Sequence, residues 1–489
     1  MKKMIAPLVA ATFAVMSSIA PAKADESLGS RLNRLDAALR AQSETIKEQQ
    51  KLIEELRNQL KAQQQEQQKQ VLQAEEQKKV IEEVKEQQKE QQKVAQAEES
   101  SQIAQMAKKV TGLFGNSSAS NPNISVVLDT KAYVSNLKNG QLEKRGVRGF
   151  TTQGLENHNG FNVKEAEVAF FAPVDPYFNL YVLAPINESG IDLEEAYFVT
   201  TALPEGFQVK GGRFKSNTSR LNSQHPHAWD FADIALPYRA FLGPEAIGGE
   251  NGIQITNLLP TSVYTLIGTE VLQGNNDLLF GRNSNKGPRA FTAFTKLAFE
   301  TSENSTLLFG PWAMFGSTTS DNVIQANSVS GNKYRINGDS QLYAMEAYWK
   351  WKDGKQALSI QSEYMFLRQH GSVEERLASD NSLVGPAGSI KREQDGFYIQ
   401  SLYQYDRWRV GGRYDRLGIF SDTFERNGIN ETYSGKPWRA TASLEFNPTE
   451  FTRIRAQFTH DNSSRDGRVN NEGILQAIFT IGAHGAHAF

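Results

Sequence analysis

The sequence predicts an all-β transmembrane antiparallel barrel of about 16 to 18 strands, preceded by an α-helical coiled coil. Three observations lead to this fold class. The first 24 residues have the form of an export signal, residues 28–84 follow a heptad repeat, and later residues alternate between apolar and polar side chains. The chain therefore divides into a signal peptide (1–24), a Gln-rich coiled coil (25–114), a linker (115–122) and a barrel (123–489).

The N-terminal stretch has the pattern of a secretory signal peptide. Lys2 and Lys3 precede an apolar run, and Ala-Lys-Ala at 22–24 is the small-x-small pattern of a cleavage site. The alternative is an uncleaved membrane anchor, but the run is short for a spanning helix. We therefore expect export to the cell envelope and a mature chain that begins at Asp25.

Composition excludes several classes of protein. Because the chain has no cysteine, we predict no disulfide, no thiolate metal site and no lipid-bearing cysteine. Its formal net charge is −2, without the basic excess of a nucleic-acid-binding surface. The motifs G-x-S-x-G, H-E-x-x-H and Walker A are absent, so we predict no enzyme and no cofactor.

Residues 30–111 contain neither glycine nor proline and are rich in helix-favouring Gln, Glu, Lys, Ala and Leu. One heptad frame covers residues 28–84, and its seam is apolar at first and rich in Gln later. Isoleucine at heptad position a, together with Gln at heptad position d, favours the association of three copies of this segment into a homotrimer. For residues 61–79, a disordered or single-helix polar tract is the alternative, because few apolar side chains line the seam.

Short strands with one apolar and one charged face recur from residue 123 onward. In residues 438–446, Leu444 and Phe446 share one face, whereas Arg439 and Glu445 lie on the other. A soluble sandwich or β-helix would alternate in the same way. Charged side chains on successive strands and aromatic residues beside the turns favour a membrane barrel with a watery lumen. These aromatic residues are Tyr177, Trp351, Trp408, Trp438 and Phe451.

Turn signals divide this region into hairpins. Asp-Pro at 175–176, Asp-Gly at 353–354 and Asn-Pro-Thr-Glu at 447–450 predict short turns. The polar stretches 330–340 and 372–389 predict long connections at the opposite end. The last strand is apolar, and in a closed barrel it pairs with the first, which leaves no open edge in lipid. We place on its lipid face Leu475, Ala477, Phe479, Ile481 and Ala483.

Three stretches carry a family resemblance: SRLNSQHPHAWDF (219–231), FLGPEAIGG (241–249) and GAHGAHAF (482–489). They resemble bacterial outer-membrane proteins often labelled zinc-regulated TonB-dependent receptors, which are porin-like barrels near the phosphate-selective porin superfamily. Such a receptor carries a globular plug before its barrel, whereas this chain has the Gln-rich heptad segment. In that respect the chain resembles trimeric porins with periplasmic N-terminal extensions. That resemblance implies a trimer of barrels, an inward-folded constricting loop and rows of basic residues that guide anions.

Charged residues of the lumen face are the candidate channel lining. Five arginines on late strands could form a wall that sets anion preference, or they could pair with Glu445, Asp415 and neighbouring acids as scaffolding. Side chains of mixed charge face the same lumen from other strands. The candidates are Arg409, Arg413, Arg439, Arg453, Arg455, Glu165, Glu167, Glu346, Lys350, Glu363 and Glu445.

The clustered histidines give a second candidate site. Imidazole with carboxylate suits zinc, so His225, His227 and Asp230 form a metal hypothesis, with structural hydrogen bonding as the alternative. His484 and His487 would point to opposite faces of a strand, which does not favour a shared ligand.

Together these features predict an outer-membrane channel for passive or weakly selective diffusion of small hydrophilic solutes, anions among them. One alternative is an uptake protein specific for a metal ion or chelate such as zinc. The other is an envelope-tethering protein, in which the barrel anchors a coiled coil that spans the periplasm. In each case the expected surroundings are outer-membrane lipid, with the coiled coil in the periplasm.

Overall fold

The structure is a computed structural model, and it describes residues 123–489 apart from 152–153, 156, 282–286, 320–332, 378–381, 431–434, 465 and 483–489. Before residue 123, it describes residues 29, 36–37, 39–40, 43–44, 47, 50–51, 54 and 61, which are helical and exposed. The predicted signal peptide, the linker and most of the predicted coiled coil lie outside the described residues. No helix of the described part is both long and apolar enough to cross a lipid bilayer.

The described strands form one antiparallel sheet that closes on itself. β18 (Asn470–Gly482) pairs with β1 (Asn123–Ser135), from Ser125 opposite Gly482 to Ser135 opposite Glu472. Of the 18 described strands, β4 (Gly190–Ile191) and β15 (Ile429–Asn430) have two residues each. Beyond β4, β3 (Phe178–Asn187) also pairs with β5 (Glu195–Thr200), and beyond β15, β14 (Trp408–Arg426) also pairs with β16 (Trp438–Thr449), which leaves a ring of sixteen. This confirms the predicted antiparallel barrel at the lower end of the expected strand count.

The strands are β1 (Asn123–Ser135), β2 (Gly160–Asp175), β3 (Phe178–Asn187), β4 (Gly190–Ile191), β5 (Glu195–Thr200), β6 (Phe207–Phe214), β7 (Glu250–Leu259), β8 (Tyr264–Leu272), β9 (Ala290–Ser302), β10 (Ser305–Thr318), β11 (Lys333–Asp353), β12 (Gln356–Arg376), β13 (Gly388–Tyr405), β14 (Trp408–Arg426), β15 (Ile429–Asn430), β16 (Trp438–Thr449), β17 (Thr452–Asn462) and β18 (Asn470–Gly482).

Side chains alternate between the outside of the ring and its interior, as predicted. On β18, Leu475 and Ile481 are 55% and 72% exposed, whereas Gln476 between them is buried. On β16, Leu444 faces outward and Glu445 is buried in the interior. The outer face of these strands is therefore apolar, and their inner face carries polar and charged side chains.

Short turns join the strands at one end of the ring. Asp175 Oδ1 accepts a hydrogen bond from the backbone N–H of Tyr177 at 2.7 Å, which stabilises the predicted Asp-Pro turn. Gly354 has a φ of 53°, a conformation that glycine adopts without strain, as the predicted Asp-Gly turn requires. Tyr177, Trp408 and Phe451 are exposed beside these turns, which agrees with the predicted positions of the aromatic residues.

Two predicted boundaries are wrong. β16 continues through the Asn-Pro of 447–450 to Thr449, with a register shift after Phe446, so the turn lies two residues later. Most of the polar stretch 330–340 belongs to β11, where Gly338 lies opposite Gly371 of β12. These two strands have 21 residues each. Their polar ends pair through backbone hydrogen bonds. Apolar and polar side chains do not alternate in these ends, so the sequence pattern does not predict a strand there.

The connection between β6 and β7 folds into the interior of the ring. This inserted segment, residues 215–249, contains the helices Arg220–Ser223 and Leu236–Phe241 and the 3-10 turn Pro226–Ala228. Glu245 is its one exposed residue. Its apolar side chains join a buried cluster with residues of the wall, among them Met365 and Tyr398. Another short helix, Asn139–Leu142, lies in the connection between β1 and β2.

Candidate functional site

All five arginines of the predicted wall contact the inserted segment. On β14, Arg409 Nη2 lies 2.7 Å from Asp230 Oδ1. Arg413 donates to the backbone carbonyl of Asp233 at 2.8 Å and to both of its carboxylate oxygens at 2.9 Å. On β16, Arg439 Nη1 lies 2.7 Å from Asp233 Oδ2, and its Nη2 donates to the carbonyl of Ile234.

The two arginines of β17 contact backbone rather than side chains of the segment. Arg453 Nη1 donates to the carbonyl of His227 at 3.0 Å, and Arg455 Nη2 donates to the carbonyl of Trp229 at 2.8 Å. We call these five arginines the arginine clamp. Because each guanidinium bonds to residues 227–234, the clamp fixes the path of the segment across the lumen.

Carboxylates of the wall balance the charge of the clamp. Glu445 lies 2.9 Å from Arg409, 3.4 Å from Arg453 and 2.7 Å from Arg455. Asp415 pairs with Arg413 and Arg439. This arrangement corresponds to the scaffolding alternative of the sequence analysis.

The arginine clamp also changes the pKa of a carboxyl group in the inserted segment, that of Asp233. Burial by itself would raise the pKa of Asp233, but the neighbouring Arg413 and Arg439 lower that pKa to about 2. Asp233 is therefore a carboxylate at neutral pH.

The predicted lining residues of β11 and β12 also meet the inserted segment. Glu346 Oε2 accepts a hydrogen bond from the backbone N–H of Arg220 at 2.8 Å. Glu363 accepts from the Tyr238 hydroxyl at 2.6 Å and from the indole N–H of Trp312 at 2.7 Å. Lys350 is half-buried on β11. Glu346 and Glu363 are thus buried contacts of the segment and do not face open water.

Farther around the ring, beyond β18 and β1, the segment contacts acidic residues of β2, of the connection into β5 and of β5 itself. His225 Nδ1 lies 3.2 Å from Glu167 Oε2 and 3.2 Å from Glu194 Oε2, and its Nε2 lies 3.4 Å from Glu195 Oε1. His227 Nδ1 lies 3.6 Å from Glu167 Oε2, and the two imidazole rings stack with centroids 5.8 Å apart. The acid–imidazole cluster consists of Glu165, Glu167, Glu194, Glu195, His225 and His227.

The cluster contains the two predicted histidines but takes its carboxylates from elsewhere. Asp230 bonds to Arg409 and lies 3.6 Å from Arg220, which places it with the clamp. Although burial opposes the charged imidazole of His225, its contacts with Glu167 and Glu194 hold its pKa well above the ordinary value. The cluster therefore favours a positive charge among its carboxylates.

Three cavities surround the inserted segment. The turn-side cavity, about 360 Å³, is lined by His227, Arg409 and Arg453 and by residues of the turn between β16 and β17. The loop-side cavity, about 250 Å³, is lined by Trp229, Lys131 and Arg439 and by residues of the connection between β1 and β2. These two cavities therefore lie toward opposite ends of the ring, with residues 227–229 between them.

The third, acidic cavity has a volume of about 550 Å³ and lies where the inserted segment leads into β7. Its charged lining consists of Asp192, Glu194, Glu245, Glu250 and Asp277, with Arg213 as the basic residue.

Asp233 and Glu194 are not among the site residues predicted from the sequence. Both lie in connections without periodicity, and Asp233 bonds to an arginine 180 residues away in the chain. The one available signal was the position of Asp233 two residues after the family stretch 219–231.

No family model matches this chain. A relative is an uncharacterized protein of Aquifex aeolicus (strain VF5), 35% identical over 391 residues, which cover 75% of this chain and 80% of the relative. The chain belongs to the family of this Aquifex protein. The family thus spans most of the chain, although the relative's description states no activity.

Among solved structures, the chain is similar to OmpT of Vibrio cholerae, with 10% identity and a TM-score of 0.46 over 74% of this chain and 100% of the other. It is also similar to an anion-selective porin from Comamonas acidovorans, with 10% identity and a TM-score of 0.45 over 74% of this chain and 100% of the other. OprB of Pseudomonas putida matches 74% of this chain and 94% of its own length, with 10% identity and a TM-score of 0.45.

Proposed function

We propose that this chain is a bacterial outer-membrane channel for passive diffusion of small hydrophilic solutes, anions among them, without catalytic activity. The observation that carries this proposal is the closed ring of sixteen strands with an apolar outside and a charged inside. A ring of this size is wide enough for an aqueous interior, and its closure leaves no unpaired edge toward lipid.

The route for solutes passes the inserted segment on the side of the arginine clamp. Arg409 and Arg453 line the turn-side cavity, and Arg439 and Lys131 line the loop-side cavity. Acidic side chains line both cavities as well: Glu445 and Glu450 the turn-side cavity, and Asp233 and Glu472 the loop-side cavity. In the loop-side cavity the basic side chains are in excess, because Lys164 and Arg239 also line it, and this excess supports a preference for anions. Residues 227–229 lie between the two cavities, so we expect them to limit the size of the solutes that pass.

The proposed assembly is a homotrimer held together by the coiled coil of residues 28–84 in the periplasm. The helical positions described in this region, and the ion pair of 3.2 Å between Arg40 and Asp36, support a helix there. The apolar outer face of the barrel would contact outer-membrane lipid.

Planar-bilayer recording of the purified full chain tests the proposal. We expect open steps in groups of three and a reversal potential in a KCl gradient that indicates anion preference. Arg453→Gln should lower that preference severalfold, because Arg453 lines the turn-side cavity and its side chain is 26% exposed.

Arg368→Gln is the matched control, since Arg368 is an exposed arginine of the outer face of β12. A folded protein that gives no conductance would contradict the channel and favour the envelope-tethering alternative. An equal effect of both arginine variants would contradict the route past the clamp.

A further inference from the structure

The acid–imidazole cluster is a second charged region of the interior, and of its residues His227 also lines the turn-side cavity of the proposed diffusion route. Two groups of its side chains have a spacing that could hold a metal ion: one comprises Glu165, Glu167 and His227, and the other comprises Glu167, Glu194 and His225. Within each group, one ligand atom per residue lies within 4.8 Å of the others. Glu167 belongs to both groups, and we call the two groups together the shared centre.

We propose that this shared centre binds a divalent transition-metal ion of the zinc class. Its ligands would come from the imidazoles of His225 and His227 and from the carboxylates of Glu165, Glu167 and Glu194. Two imidazoles with carboxylates are a ligand set that suits zinc better than magnesium or calcium, which prefer oxygen alone.

The distances between the ligand atoms fit such an ion. In a tetrahedral zinc site with bonds of about 2.0–2.1 Å, neighbouring ligand atoms lie about 3.3–3.4 Å apart. His225 Nδ1 lies 3.2 Å from Glu167 and from Glu194, and His227 Nδ1 lies 3.6 Å from Glu167. These three distances are close to the spacing of ligand atoms around one zinc ion.

A separate observation points to a ligand at this place. Glu165 is 9% exposed, and its Oε1 atom accepts no hydrogen bond. A buried carboxylate oxygen without a hydrogen bond is costly, and a bound cation would remove that cost. Four ammonium groups lie near the cluster. Lys215 is 3.3 Å from Glu194, Lys164 is next to Glu165 in the chain, and Lys131 and Lys210 interact electrostatically with Glu165 and Glu195. Among the described residues, none of them donates a hydrogen bond to Oε1 of Glu165.

The acidic cavity gives the ion a route to the site. Glu194 is a ligand of the proposed site and also lines this cavity, together with four further carboxylates and one arginine. A cavity lined largely by negative charge concentrates cations. On the other side, His227 lines the turn-side cavity, so the site lies between two cavities.

A bound ion would connect the inserted segment to the wall at β2, which β18 and β1 separate from the arginine clamp. Glu165 and Glu167 belong to β2, Glu194 precedes β5, and the histidines belong to the segment. The ion would therefore join three separate parts of the chain at one point.

The test is zinc binding by the full chain, purified in detergent and measured by isothermal titration calorimetry. All variants carry H484A/H487A, which removes the histidines at the C-terminal end from the measurement. We expect one zinc per chain, and a loss of affinity of about tenfold or more in His225→Ala, His227→Ala and Glu167→Gln. His460→Ala, which changes a histidine of β17 outside the cluster, should bind as the background does.

Cobalt provides a second measurement that depends on geometry. Tetrahedral Co²⁺ with nitrogen and oxygen ligands absorbs visible light far more strongly than octahedral Co²⁺, so bound cobalt should give an intense band that His227→Ala removes. Glu165→Gln preserves volume and serves if an alanine variant does not fold, as judged by migration of the unheated protein on SDS gels. The proposal is overturned if the background chain binds no zinc, or if cluster variants bind as tightly as His460→Ala. Because binding is measured without a bilayer, this outcome is independent of the channel test.

Discussion

The inserted segment is attached to the barrel wall on two sides that differ in charge balance. On the side of β14, β16 and β17, five guanidinium groups meet Asp230 and Asp233 of the segment and Asp415 and Glu445 of the wall. On the side of β2 and β5, three carboxylates pair with two imidazoles, and the carboxylate of Glu165 lies within 4.8 Å of the imidazole of His227.

We infer from this difference that the attachment at the arginine clamp is permanent, whereas the attachment at the acid–imidazole cluster depends on a cation. Guanidinium groups keep their charge at every accessible pH, so the clamp is complete without any ligand. Imidazole is charged only when protonated, so the positive charge that His225 and His227 bring to the acid–imidazole cluster depends on a bound proton, and a metal ion would replace it. We infer that a conformational change of the inserted segment would start at the acid–imidazole cluster, while its contacts with the arginine clamp stay in place.

The largest effect is expected from removing the central carboxylate of the clamp. Asp233→Ala removes the carboxylate that Arg413 and Arg439 share, and leaves these buried guanidinium groups with backbone carbonyls as their bonds to the segment. Removing one partner of a buried ion pair typically costs about 3–5 kcal/mol. We expect that loss in the free energy of unfolding, measured by urea titration of the folded barrel in detergent.

The same variant should increase the fluctuation of single-channel conductance, because residues 227–234 lose a main attachment. Asp233→Asn, which keeps a hydrogen-bond acceptor, should lose less stability. Glu303→Gln at the exposed turn after β9 is the control and should unfold as the wild type does. Equal stability of Asp233→Ala and the control would show that the clamp does not hold the segment.

The sequence could predict which wall residues face inward but not what they meet there. Period-2 alternation fixes the face of Arg439 and Glu445, because each step along a strand reverses the side chain. The partners lie in a connection without periodicity: Arg439 bonds to the carbonyl of Ile234, 205 residues away in the chain. Folding of the inserted segment into the lumen therefore turned a predicted arginine wall into a clamp.

The metal hypothesis illustrates the same limit. Asp230 was grouped with His225 and His227 because the three are close in sequence, yet its carboxylate bonds to Arg409. The carboxylates that approach the histidines come from β2 and the connection before β5, and local sequence contains no signal for that contact.

A smaller effect is expected from the matched change on the other side. Glu167→Gln removes one of four carboxylates, and His225 still lies 3.2 Å from Glu194 and 3.4 Å from Glu195. In the presence of a chelator we expect the free energy of unfolding to change by less than about 1 kcal/mol, the size of one hydrogen bond. The measurement is the urea titration used for Asp233→Ala. A loss as large as that of Asp233→Ala would mean that both attachments are equally fixed, which would remove the distinction between them.

The smallest effect is expected from mild acid acting on the clamp. The pKa of Asp233 falls from 3.8 to about 2 because of Arg413 and Arg439, against the effect of burial. A carboxylate with a lowered pKa contributes stability above its ordinary pKa and loses it as the pH falls toward the lowered one. The groups that act on Asp233 are Arg413 of β14, Arg439 of β16, Gln457 of β17, Glu472 of β18 and Lys131 of β1.

The contribution of Asp233 should therefore be constant from neutral pH down to about pH 4 and decline only between about pH 4 and pH 2. Urea titrations of wild type and Asp233→Asn across this range measure it as the difference between the two proteins. That difference should stay constant above pH 4 and shrink below it, because the asparagine does not titrate. A difference that already shrinks between pH 7 and pH 5 would show that the guanidinium groups do not hold Asp233 ionised, and the clamp would then depend on protons as the acid–imidazole cluster does.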